Sequence, residues 1–102
     1  MLHHIVLLDP ANAEAADHLR EACSILATLV DEVPGMMAFH HGPNRDFEGK
    51  SARYAYGFSA TFTDREAHLA YERHPEHVRA GEILVANSCG GHDGIFVADL
   101  DT

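Results

Sequence analysis

The residue types that can do chemistry in this sequence are mostly histidine and tyrosine. Nine His residues occur among 102, and their ordinary pKa near 6.5 lets them take or release a proton at neutral pH. His77 follows a proline break, His74-Pro75-Glu76-His77, where a side chain can be aimed into a cleft. It is the first candidate for a general base. Tyr71 lies six residues earlier on the apolar side of a predicted helix. A buried phenol needs a hydrogen-bond partner, which His77, His4 or a bound ligand would supply. These two are the candidate catalytic residues. His4 and His74 are the candidate ligand contacts. His4 shares a strand face with Val6 and Leu8. His74 stands before Pro75, where it also reads as a local brace capping the turn.

Other chemistries lack their residues. His40 and His41 are adjacent on a strand and point to opposite faces. One of them joined with His74, His77 or His92 could make a three-ligand site, but no His-Glu-x-x-His motif is present, so no metal and no cofactor are expected. Gly90-Gly91 has no following Lys and Ser/Thr for a phosphate, and no Gly-x-Ser-x-Gly elbow occurs. Sixteen acidic residues against seven basic ones leave a formal charge of -9, which repels nucleic acid. No apolar run is long enough to cross a bilayer, and no secretory signal opens the chain. Cys23 and Cys89 are far apart and in no metal or redox spacing. Two buried free thiols are expected, in keeping with a cytoplasmic location.

The elements that must position these residues follow from hydrophobic period. Leu2 to Leu8 is a first strand, stopped by Asp9-Pro10. Asn12 caps a helix whose stripe is Leu19, Cys23, Leu26, Val30 and Val33, ended by Pro34-Gly35. Met36 to His41 is a second strand, and Asn44 to Ser51 a polar loop. Tyr54, Tyr56, Phe58, Ala60 and Phe62 recur with period two, alternating with Arg53, Ala55, Gly57, Ser59 and Thr61. This predicts a third strand with one heavy face and one small face. The small face leaves room for a helix, a facing sheet or a ligand beside Tyr71 and His77. Thr63 and Glu66 form a capping box for a helix that breaks at Pro75. A second helical piece spans Glu76 to Ala86, and Gly94 to Leu100 is the last strand.

The order β-α-β-β-α-(α)-β predicts one α+β domain over residues 1–102, with a ferredoxin-like four-stranded antiparallel sheet and helices on one face. The other face, expected to carry Val6, Leu8, Phe39, Phe58 and Phe96, would be apolar and bare in a monomer. A homodimer joined through that open sheet face covers it.

These segments resemble the stress-responsive dimeric α/β-barrel family. The residues that carry the likeness are His4-Ile5-Val6-Leu7-Leu8, Val33-Pro34-Gly35, Gly42, Thr61-Phe62, and Tyr71 with His74-Pro75-Glu76-His77-Val78. Asp99 falls where the family often has a last-strand Asp. The resemblance implies a cytoplasmic homodimer whose sheets form a barrel-like core. One plant member is a polyketide cyclase. Similarity to it implies His77 as base, Tyr71 as the residue that polarises substrate, and His4 on the pocket wall. Asn87-Ser88-Cys89-Gly90-Gly91-His92 departs from the cyclase, where a large aromatic stands. Two readings stay open. One is a cofactor-free enzyme acting on a small apolar or aromatic carbonyl compound. The other is a non-enzymatic binding or structural dimer.

Overall fold

The computed structural model describes Met1–Thr102. Four strands, β1 (Leu2–Leu8), β2 (Met36–Pro43), β3 (Tyr56–Phe62) and β4 (Ile95–Asp101), form one antiparallel sheet in the order β2-β3-β1-β4. Helices α1 (Ala13–Ala27), α2 (Arg65–Arg73) and α3 (Pro75–Asn87) cover one face. This is the ferredoxin-like arrangement expected. No helix is long and apolar enough to cross a membrane.

Local chemistry accounts for the breaks. Asn12 accepts from the Ala15 amide and caps α1. The α1 stripe then tightens into a 3-10 turn over Thr28–Asp31, so Val30 and Val33 lie beyond the helix proper. At the turn into β2, Gly35 has φ +86°, and a Cβ there would stand 2.7 Å from both Ala67 Cβ and Thr63 Oγ1. Only glycine fits that crossing. The cap of α2 is Asp64, whose carboxylate accepts from the Ala67 amide, rather than Thr63. Asp also terminates the extended stretch, and its charge suits the positive helix end better than a hydroxyl. His74 ends α2 and caps α3 by accepting from the Glu76 amide, with Pro75 as the first helical residue. β2 runs on to Pro43, and β3 starts only at Tyr56.

The two faces of the sheet are assigned the other way round from the sequence expectation. Val6, Leu8 and Phe58 are buried beneath the helices, and Phe39 packs against them partly buried. The heavy face of β3, with Tyr56, Phe58 and Phe62, belongs to this core. Register places Ile5 between Ser59 and Ala98, and Leu7 between Gly57 and Phe96. The open face therefore carries His3, Ile5, Leu7, Phe96, Ala98 and Leu100 over the small side chains of β3. Of the residues expected there, only Phe96 is present, 46% exposed. The physical reason is volume. Helices leave a thick interior that large rings fill, whereas Gly57 and Ser59 suit close approach of another backbone. The small face thus offers no room beside Tyr71 and His77, which lie across the sheet from it.

Cys23 is buried in α1, and burial pushes its thiol up to about 12. Cys89 is exposed rather than buried. It leads into Gly90, which turns the chain at φ +72°, and a turn is held at the surface by its backbone polar groups.

Candidate functional site

One end of the helix-covered face gathers titratable groups from four elements. His4 comes from β1, Asp99 from β4, His68 and Tyr71 from α2, and His77 from the first turn of α3. His4 and Asp99 are directly opposed across the β1–β4 ladder, and their Nδ1 and Oδ1 atoms are 2.6 Å apart. The carboxylate accepts, so a His4 proton sits on Nδ1. The His4 ring lies 4.5 Å from that of His68 and 6.2 Å from that of Tyr71, centroid to centroid.

His77 is half-buried and meets the Tyr71 ring edge-on at 4.6 Å. Burial lowers its pKa from the ordinary histidine value. Glu72 pulls in the opposite direction and His4 adds to the lowering. His77 is held as a neutral imidazole that can accept a proton. Two clefts meet at it. One, of about 630 Å³, runs outward along α3 past Val78, Val85 and Ala86. The other, of about 580 Å³, runs inward past His4, Arg65, His68 and Asp99. Glu72 and His77 line both.

Tyr71 stands behind this junction. It is fully buried, its hydroxyl has no hydrogen-bond partner, and it lines neither cleft. Burial raises its pKa, so it stays a phenol. His74 also lines neither cleft. Its Nδ1 accepts from the Glu76 amide and its Nε2 lies 3.4 Å from Glu32 Oε2, which is the bracing role.

The sequence reading missed His68, Arg65 and Glu72 and gave Asp99 no role in the site. His68 is buried, with burial lowering its pKa. Arg65 Nη1 donates to its Nδ1. Its Nε2 is 3.3 Å from Glu72 Oε1 yet makes no hydrogen bond. The available signal was helical spacing: His68 precedes Tyr71 by three residues and shares its face.

Burial lowers the pKa of His41, His68 and His77 alike. A histidine with a depressed folded-state pKa contributes stability that is complete above its unfolded value, near about 6.5. That stability is lost as pH falls from there, because the unfolded chain binds more protons. The melting temperature is therefore expected to drop between about pH 6.5 and pH 5. Thermal melts across that range should show a shallower fall for His77→Ala than for wild type. Equal slopes would mean that His77 is not held neutral by the fold.

The sequence profile of the stress responsive A/B barrel domain matches residues 2–100. A stress-response A/B barrel domain-containing protein, HS1 of Arabidopsis thaliana, is 29% identical over 96 residues, covering 94% of this chain and 84% of that protein. A crystal structure from Jannaschia sp. CCS1, described as a dimeric ferredoxin-like protein of unknown function, is 53% identical with a TM-score of 0.95. It covers 99% of this chain and 98% of its own. A second structure, from Arabidopsis thaliana, is 26% identical with a TM-score of 0.80, covering 100% and 95%.

Proposed function

We propose that this chain, which belongs to the stress-responsive A/B barrel domain family, works as a cytoplasmic homodimer that binds a small apolar or aromatic carbonyl compound beside His77. Cofactor-free proton transfer, of a cyclase or lyase kind, is the chemistry that His77 and Tyr71 suit. The observation that carries this reading is the junction of the two clefts at a neutral, half-buried imidazole, with a partnerless phenol behind it. His77 takes a proton from carbon next to the carbonyl. The developing oxyanion needs a donor held away from water. The donor assigned to it is Tyr71, whose ring meets His77 at 4.6 Å and whose hydroxyl is buried without a partner. Val78, Val85 and Ala86 supply an apolar wall for the rest of the ligand.

The open sheet face supports the dimer. Leu7, Phe96 and Leu100 are apolar, and Gly57 and Ser59 at the centre allow a second sheet to approach. The relative from Jannaschia sp. CCS1 is itself described as dimeric.

A second reading is a non-enzymatic binding or structural dimer. Tyr71 favours it, because a side chain that lines no cleft touches no ligand.

A thermal-shift screen separates a ligand-binding protein from a purely structural dimer, and turnover of any compound that binds separates an enzyme from a non-enzymatic binder. Wild-type protein is melted with a panel of small aromatic and β-keto compounds. A compound present at a hundred times its Kd is expected to stabilise by about 2.7 kcal/mol, and its addition should shift the His77 ring resonances. A panel in which no compound raises the melting temperature or moves those resonances would favour the structural reading.

A further inference from the structure

Three donors that the chain order keeps far apart converge on the inner cleft. His4, His68 and Asp99 each offer one ligand atom, and these atoms lie within 4.8 Å of one another. His68 is 2% exposed, yet its Nε2 makes no hydrogen bond. That nitrogen faces the Glu72 carboxylate at 3.3 Å, and Glu72 lines the same cleft. A buried ring nitrogen without a partner is uncommon, because leaving it so costs free energy. We propose that His4, His68 and Asp99 bind one divalent first-row transition ion of the zinc or cobalt class, with Glu72 within reach as a further oxygen ligand.

Two imidazoles and a carboxylate suit these ions. Magnesium and calcium prefer all-oxygen sets. Bonds of about 2.0–2.2 Å to a tetrahedral ion space its ligand atoms roughly 3.4 Å apart. The widest gap in the cluster must then close by at most roughly 1.4 Å. Asp99 is the member of the set with the most freedom to adjust, since its side chain is 42% exposed. A cation already stands at the cluster: the Arg65 guanidinium donates to His68 Nδ1. It must leave when the ring coordinates, and it can. Arg65 is 60% exposed, and its other ionic contact is Glu72 at 3.6 Å. Arg65 is thus a built-in competitor for the ion.

The ligand set contains neither His77 nor Tyr71, so this inference does not rest on the proton-transfer reading. An ion held on His4 Nδ1 would replace the hydrogen bond from that nitrogen to Asp99.

Zinc chloride titrated into untagged, chelator-treated protein tests the site by calorimetry, with ring-nitrogen NMR as a second readout. The expected result is one ion per chain, with the His4 and His68 ring signals shifting together. His68→Ala and Asp99→Asn should each weaken binding at least as much as losing an outer-shell partner does, about 10–100-fold. Arg65→Gln should tighten it, and His77→Ala should leave it unchanged. If His68→Ala fails to fold, the ring signals of wild type and the affinities of Asp99→Asn and Arg65→Gln still decide. Absence of binding would overturn the proposal. So would zinc held with His4 and His68 signals unmoved, or binding lost in His77→Ala and kept in Asp99→Asn.

Discussion

Replacing His77 with alanine is expected to reduce turnover of any carbonyl substrate found for this protein by about 10²–10⁴-fold, the usual contribution of a positioned general base. The imidazole stands where two clefts meet, and burial keeps it unprotonated near neutrality. No other neutral base lines both. Glu72 shares both walls, but a carboxylate is a weaker general base than an imidazole. Tyr71→Phe separates chemistry from architecture. Its hydroxyl is buried and has no partner, so removing it forfeits no hydrogen bond in the free protein. The phenylalanine variant should melt at the same temperature as wild type or higher. If the hydroxyl serves an oxyanion, turnover should nevertheless fall by about 10²–10³-fold. Steady-state kinetics with the best compound of the screen, paired with thermal melts, read both effects. A Tyr71→Phe protein that turns over at the wild-type rate would remove tyrosine from the mechanism. A His77→Ala protein with unchanged turnover would remove the mechanism itself.

Ile5→Lys is expected to convert the protein from dimer to monomer at low micromolar concentration. Ile5 sits mid-strand on the open face, with Ser59 on one side and Ala98 on the other. Its side chain points away from the helices, so the substitution leaves the core of Val6, Leu8 and Phe58 untouched. In a sheet-to-sheet dimer the new ammonium would be buried without a counter-charge, at a cost of several kcal/mol per ion. Two-fold symmetry places two of them in one interface. A small domain with a bare apolar sheet face also loses stability when its partner leaves, so the melting temperature should fall and cease to depend on concentration. Sedimentation velocity on wild type and variant reads the assembly. A wild-type monomer, or an Ile5→Lys dimer, would exclude the open face as the interface.

Much of this architecture is legible in local chemistry. The period-two run from Tyr56 to Phe62, the stripe of Leu19, Cys23 and Leu26, and the proline break at Pro75 each impose an element wherever the chain goes. Hence the ferredoxin-like order follows from sequence, as does the assignment of His4 to the face of Val6 and Leu8. Sequence also singles out His77, as an imidazole just after a proline break, where a side chain can be aimed into a cleft.

Which face meets the helices was not legible. Strand alternation divides side chains into two sets but does not say which set is covered. That choice is made by the thickness of the interior, which takes the rings of Tyr56, Phe58 and Phe62 and leaves Gly57 and Ser59 outside. The same limit hid the inner cleft. His4, His68 and Asp99 belong to β1, α2 and β4, and nothing in their spacing joins them. They meet because β4 lies against β1 in a register that opposes Asp99 to His4, and because α2 crosses over that end of the sheet with His68 facing in. Tyr71 is the sharpest case. Its place on the apolar side of a helix follows from period alone. Only the packing of α3 against it decides that its ring meets His77 edge-on while its hydroxyl is buried without a partner.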